Sequence, residues 1–270
     1  MDFRTELSGR ASAPGPDSTS LAALADAGWA APDRAAGGGW EARFAAGVTK
    51  RANSAWPAAG AGTALDGDRV AEIEQLYRAR GIVPAFQLSP ADDAAARLLV
   101  GRGYTVADDT AIMTARVSQS WAIAPQVLLA AEPSAEWLAA WWAVDGRGGG
   151  AELEVAQQIL AGTPALYGSV SSGGRVVSVA RLALVDAWGG LYCVATLPEA
   201  RRQGFSALVI ETLLASARDE HGVADAWLQV LASNSGAQAL YGSRFGFAEA
   251  DRYRYFAGAL QAQAGAYCRG

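Results

Sequence analysis

The sequence predicts an α/β protein in two similar halves, and three observations carry that reading. Apolar runs of strand length alternate with amphipathic helical stretches on both sides of a polar boundary near Ser118–Ser120. One such strand, Leu191–Ala195, runs through a turn containing Arg and Gly into a long amphipathic helix that begins near Phe205. Near the end of each half a helix closes into a Gly-aromatic pair followed by a strand: Leu99-Val100-Gly101-Arg102-Gly103-Tyr104 in the first, Gly242-Ser243-Arg244-Phe245-Gly246-Phe247 in the second.

The elements follow in order. Trp40–Val48 and Arg51–Trp56 read as strands with polar residues interleaved. Arg69–Arg80 reads as a helix with Val70, Ile73 and Tyr77 on one face, Ile82–Leu88 as a strand despite Pro84, Asp92–Gly101 as a helix, and Thr110–Thr114 as a short strand. Past the boundary, Val127–Ala130 is a strand, and Ala135–Val144 and Glu152–Leu160 are helices. A meander of Leu166–Val170, Val176–Leu184 and Leu191–Ala195 follows, with turns at Ser171-Ser172-Gly173-Gly174 and Trp188-Gly189-Gly190. On the next helix Phe205, Leu208, Val209, Thr212 and Leu213 keep the spacing of a core-facing stripe, and Ala226–Leu231 is again strand.

Composition bounds the function. With 51% hydrophobic and 18% charged residues, the 270-residue chain has core material for one large domain or two ordinary ones. No apolar run approaches the ~20 residues that span a bilayer, and Met1-Asp2-Phe3-Arg4-Thr5-Glu6 lacks the basic-then-apolar order of a secretory leader, so no membrane partner is expected. Cys193 and Cys268 are too few for a disulfide framework, which points to a reducing cytoplasm. A net charge of −5 argues against non-specific nucleic-acid binding and mildly favours a cationic acceptor. A single His and two Cys make a metal site unexpected.

The stretch from Thr196 to Leu208 is the most informative. A strand running through such a turn into a helix aims backbone N–H groups and a positive dipole end at one spot, which suits a phosphate. Arg201 and Arg202 add charge, and Gly204 permits close approach of the backbone to an anion. The turn has neither Gly-x-x-x-x-Gly-Lys nor Gly-x-Gly-x-x-Gly. Its pattern, Arg201-x-x-Gly204-x-Ser206 after Pro198, resembles the coenzyme A signature of the GNAT superfamily of N-acetyltransferases, with Ser206 where a small apolar residue is usual. One strand later, Asn234-x-x-Ala237-x-x-Leu240-Tyr241 and then Gly246-Phe247 resemble that superfamily's second signature. The resemblance runs from about Val127 to Phe256.

Laid on the second half at Gly103 and Gly246, the first half has Leu98 where Tyr241 stands, Ala91 at Asn234 and Ala94 at Ala237. Its corresponding turn, Ala58-Ala59-Gly60-Ala61-Gly62-Thr63, has glycine but no Arg or Gln. The resemblance therefore implies two GNAT-like modules, each a mixed central sheet flanked by helices. Residues 1–120 form a degenerate module without a cofactor motif, and 121–270 the acetyl-coenzyme A-binding catalytic module. Gly103-Tyr104 as an ordinary helix C-cap is the simpler alternative.

What the resemblance implies for chemistry is acetyl transfer from acetyl-coenzyme A, by direct attack, to a primary amine of a small molecule or peptide. Backbone groups at Val194 and Thr196 would pair with the pantetheine arm, and Arg201, Arg202, Gln203, Gly204, Phe205, Ser206 and Ala207 would hold the pyrophosphate. A strand N–H would polarise the thioester carbonyl. Tyr241 would be the general acid for the departing thiolate, or else a core tyrosine. Asn234 would cap its helix and, in the functional reading, also contact the pantetheine region. Trp137 and Trp141, four apart on one helix, would pack the core or wall the acceptor pocket, with Trp142 beside them. Glu152, Glu154 and Asp145 are solvated helix residues or base candidates, and Glu152 is carried as a substrate-binding candidate. Gly146-Arg147-Gly148-Gly149-Gly150 reads as a flexible loop, either linker or lid. Arg43, Arg51, Asn53 and Ser54 project toward the second module or lie on a wet strand face. Cys193 reads as a small buried residue rather than a nucleophile, and His221 as a helix-end cation without catalytic duty. An internal pair of modules would supply the packing that other superfamily members reach by dimerising, so a monomer or homodimer is expected. The rival function is a non-catalytic acyl-coenzyme A sensor.

Overall fold

The computed structural model describes residues 18–58, 64–146 and 148–258. The first half contains α1 (Ser18–Gly28), β1 (Asp33–Gly37), β2 (Trp40–Phe44), β3 (Ala55–Pro57), α2 (Gly67–Arg78), β4 (Ala85–Leu88), α3 (Asp93–Gly101) and β5 (Thr105–Arg116). The second contains β6 (Val127–Ala130), α4 (Ala135–Asp145), α5 (Gly150–Ala161), β7 (Ala165–Ser172), β8 (Arg175–Val185) and β9 (Trp188–Thr196). It ends with α6 (Phe205–His221), β10 (Asp225–Leu231), α7 (Ser235–Phe245) and β11 (Ala248–Ala257).

The eleven strands of the described residues join one mixed sheet in the order β1-β2-β3-β4-β11-β5-β10-β9-β8-β7-β6. Helices flank the two modules of this α/β fold. The units β4–α3–β5 and β10–α7–β11 repeat one another, and each preceding neighbour pair, β3–β4 and β9–β10, is parallel. Their final strands are exchanged. β5 pairs antiparallel with β10 from Asp225↔Arg116 to Leu231↔Thr110, while β11 pairs with β4 from Arg254↔Leu88 to Ala257↔Ala85. The two exchanged strands pair with each other, so the halves share a continuous sheet.

Five segments depart from the sequence expectation. Arg51 and Ala52, expected to open a strand, belong to a 3-10 turn over residues 50–52 because Thr49 Oγ1 accepts the Ala52 N–H and Asn53 Oδ1 accepts the N–H groups of Ala45 and Gly47. Trp188-Gly189-Gly190, expected as a turn, belongs to β9, and the reversal falls before Trp188, where Asp186 takes a positive φ of 50°. Gly190 is in the strand for a steric reason: a Cβ there would run into the Trp227 ring. Thr110–Thr114 is the centre of a much longer strand, and α1 and β1 add two elements that local patterning did not mark.

The core lies on both faces of the sheet. One face packs α6 (Val209, Ile210, Leu213, Leu214, Ala217) on Leu182, Leu191 and Leu228, together with Tyr241 and Phe247. The other packs α1 and α4 (Ala25, Trp29, Trp137, Trp141) on Tyr167, Val179, Tyr192 and Trp227. Burying a side chain of this size stabilises by about 1.5–3 kcal/mol. Arg181, fully buried on β8, anchors α1: its Nη1 donates to Gly28 O (2.8 Å), its Nη2 to Leu160 O and Thr163 O (3.2 and 3.1 Å), and its Nε to the Tyr167 hydroxyl (3.2 Å). Tyr192 Oη also donates to Ala25 O. No helix among the described residues is long and apolar enough to cross a membrane.

Candidate active site

Strands β9 and β10 run parallel and are paired only from Asp225↔Trp188 to Leu228↔Leu191. Beyond that point they diverge, while β10 keeps its full pairing with β5 as far as Leu231. The cause is visible on β9. Val179 pairs with Ala195 and Arg181 with Tyr192, so Ala180 alone faces Cys193 and Val194. This is a β-bulge, with Cys193 at a φ of 54°, a left-handed conformation that a residue with a Cβ seldom takes. The bulge bends β9 away and leaves the β10-facing edges of Val194 and Thr196 outside that ladder. Strain of this kind concentrates at sites where function requires it. Cys193 itself is half-buried.

After β9, residues 198–200 make one 3-10 turn, and the chain passes through Arg202 (φ 61°) and Gly204 (φ 84°) into α6. Gly204 is the N-cap, and the first bond of this helix runs from Leu208 N–H to Gly204 O. The N–H groups of Phe205, Ser206 and Ala207 precede it and have no acceptor within the helix. No acidic residue stands in the first turn, so the positive end of the dipole is not neutralised locally. These residues, with Thr196, Ala200, Arg201, Arg202 and Leu240, line a cleft of about 280 Å³. Arg201 Nε donates to Thr196 O and Gln203 Nε2 to Glu199 O, which holds the turn in shape. Neither Arg201 nor Arg202 forms an ion pair among the described residues, and both are exposed. The corresponding first-half turn, Ala59–Thr63, lies outside the described residues, as do Arg147 of the glycine loop and Cys268.

On the neighbouring α7, Asn234 Oδ1 accepts the Ala237 N–H at 3.1 Å, so the side chain is a helix N-cap. Leu240 reaches the cleft and Tyr241 follows it. The Tyr241 ring packs edge-on against Phe247 with centroids 6.1 Å apart. Burial pushes its phenol up to about 12, so it stays protonated at neutral pH. No hydrogen-bond acceptor for its hydroxyl is present among the described residues.

The remaining sequence candidates divide. Trp137 and Trp141 are 2% and 3% exposed and sit in the aromatic core, where Trp137 Nε1 donates to Gly168 O. Trp141 Nε1, by contrast, is buried with no acceptor among the described residues. The Glu152 carboxylate accepts the Gly149 N–H at 2.7 Å and so caps α5. Asn53 clamps its own loop, and Arg43 spends its guanidinium on Ser54, Gln87 and Asp26. His221 closes α6 on an exposed turn. Sequence reasoning passed over Gln229, the one polar residue inside the apolar run Ala226–Leu231. That interruption was the available signal.

The splayed parallel pair, the bulge and the glycine-initiated helix define the fold and cleft of a GNAT acetyltransferase. Residues 19–256 match the family described as "Probable histone acetyltransferase Rv0428c C-terminal", and the chain belongs to that family. It is 27% identical over 252 residues to the uncharacterized N-acetyltransferase YobR of Bacillus subtilis, a match covering 86% of this chain and 95% of that protein. Among solved structures it is similar to a GCN5-related N-acetyltransferase from Kribbella flavida, with a TM-score of 0.63 and 19% identity over 88% of this chain and 95% of that one. It is also similar to a tandem GNAT protein from the clavulanic acid biosynthesis pathway, with a TM-score of 0.60 and 14% identity over 93% and 90% of the two chains.

Proposed function

We propose that the protein transfers an acetyl group from acetyl-coenzyme A to a primary amine on a small molecule or peptide, in the cytoplasm. In this reading residues 121–270 bind the donor and residues 1–120 form a module without a donor site. The observation that carries the reading is the cleft at the start of α6, where helix-end N–H groups, a bare dipole end and two arginines without an ion pair among the described residues converge. Such a cleft fits a diphosphate.

Acetyl-coenzyme A supplies a thioester activated toward amines. The N–H groups from Gly204 to Ala207 and the side chains of Arg201 and Arg202 hold its pyrophosphate, and the diverged edge of β9 at Val194 and Thr196 pairs with its amide-bearing arm as an added strand would. The acceptor nitrogen bonds to the acetyl carbon, the carbon–sulfur bond breaks, and the sulfur leaves as a thiol with the Tyr241 proton. The ammonium proton released by the acceptor goes to solvent, and the phenolate recovers a proton from there. A phenol near 12 is reliably loaded with its proton before each turnover.

Calorimetry with coenzyme A and a thiol-release assay over an amine panel test this. Tyr241→Phe keeps the packing on Phe247 and is expected to leave coenzyme A affinity within about twofold while lowering kcat by roughly 10²–10⁴. Binding of coenzyme A with no thiol released by any amine would favour a sensor over an enzyme. Absence of binding would overturn both.

A further inference from the structure

Four buried polar atoms have no hydrogen-bond partner among the described residues: Arg51 Nε, Trp56 Nε1, Trp141 Nε1 and Gln229 Oε1. Three of them belong to the face of the sheet that carries α1 and α4, next to the β9–β10 divergence. Gln229 follows Leu228, the last paired residue, and so stands across the opening from Tyr192 on the face that Trp227 and Tyr192 share. Trp141 packs on Trp29, which stacks on Tyr192 at 5.3 Å. Tyr253 and Tyr255 lie on the same face of β11, with centroids 5.1 Å apart.

Arg51 is the telling member. It makes no hydrogen bond and no ion pair with any described residue, and an unpaired guanidinium inside a protein is costly. The ionisable groups that act on it are Tyr253, Tyr255, Tyr192 and, most weakly, Asp145, the only carboxylate among them and an exposed one. Arg51 nonetheless retains some accessible surface. The other cations nearby are committed: Arg43 to Asp26, Ser54 and Gln87, and Lys50 to Asp108 at 2.6 Å. Among the described residues Arg51 is therefore a positive charge without a partner, beside Tyr253, Tyr255 and Tyr192.

From this juxtaposition we infer that Arg51 binds the carboxylate of the acceptor, so that the substrate is a small amine that also carries a carboxylate, an amino acid or a close analogue. This deepens the acetyl-transfer reading and rests on it. A single guanidinium matches a monoanion, and a phosphate dianion would call for a second free cation. The aromatic residues around Arg51 favour a compact acceptor, and Gln229 Oε1, with no donor among the described residues, is left to accept from its N–H groups. Tyr192 stands beside both Arg51 and the bulge, so a molecule anchored on Arg51 reaches toward the opening where the thioester would lie. The module without a donor site thereby contributes the anchor for the acceptor.

The experiment offers the full-length protein the protein amino acids, β-alanine and γ-aminobutyrate, each beside its amide or its decarboxylated amine. Thiol release and thermal shift are read for the wild type, Arg51→Met and Arg51→Gln. The expected result is that the preferred acid outperforms its amide by about 10- to 100-fold in kcat/KM. Both variants should erase that preference through KM while keeping coenzyme A affinity and an undiminished melting temperature. Equal use of acid and amide would overturn the inference and leave acetyl transfer standing. If no amine reacts, the transfer reading fails. The thermal shift then decides this one: stabilisation by amino acids in the wild type but not in the variants supports the anion site, and none in either sinks it. A marked loss of melting temperature in both variants would show Arg51 to be a structural cation, which also overturns the proposal.

Discussion

Gly204→Ala tests the phosphate-binding turn at its narrowest point. Gly204 has φ 84° and ψ 0°, and a Cβ built there meets nothing within 4 Å. The stability cost is therefore conformational alone, about 1–2 kcal/mol for an L-residue in the left-handed region. For a chain of this size that lowers Tm by roughly 2–8 °C. Gly222, at the far end of the same helix, has φ 69° and equally open surroundings, so Gly222→Ala should cost the same. The two differ in what the methyl group faces. At Gly204 it enters the cleft where the diphosphate would lie, and displacing even one charged hydrogen bond, worth about 1.5–3 kcal/mol, weakens binding roughly 10- to 100-fold. At Gly222 it faces solvent. Scanning fluorimetry should thus give matched losses of Tm, and calorimetry with coenzyme A should separate the variants by at least tenfold in Kd. Equal affinities would show that the diphosphate does not rest on this turn.

Two further outcomes follow from the packing. Arg181→Met removes the donors to three buried carbonyls and should lower stability by about 3 kcal/mol or more, whereas Arg175→Met, which loses an exposed pair with Glu199, should change it by less than about 1 kcal/mol; denaturant midpoints compare them. Burial raises the phenols of Tyr77, Tyr192, Tyr255 and Tyr241, the last to about 12, so the folded state keeps protons that the unfolded chain gives up near pH 10. Their contribution is intact below pH 10 and is lost as pH rises from there through 12, at about 1.4 kcal/mol per pH unit for each tyrosine. Denaturant titrations between pH 8 and about 11.5 should show that decline, and a flat profile would refute it.

The sequence showed most where local chemistry and structure coincide. The Arg201-x-x-Gly204-x-Ser206 turn was legible because a left-handed helix entry selects glycine, and Val127–Ala130 because its apolar run is bounded by turn residues. α1 was not legible. Its Ala-rich stretch carries a weak periodic signal, and its anchors, Arg181, Tyr192 and Thr163, stand more than a hundred residues away. β1 is an edge strand of small and charged residues whose position is set by pairing with β2. Arg51 was visible as a residue that could reach the second module, yet its lack of a partner emerges only when every neighbouring group has been assigned one. Trp137 and Trp141 share a helix face in the sequence, and the fold gives one a carbonyl and the other no acceptor among the described residues.

Because β5 and β11 trade places, neither half owns a complete set of neighbours. A nick or linker insertion around residues 118–126 would still leave both pieces bound to one another, while deleting either piece would strip the survivor of a central ribbon and expose raw edges to aggregation. The two halves are thereby held in fixed one-to-one stoichiometry, and either can change elsewhere so long as the ribbon it lends to the other stays in place.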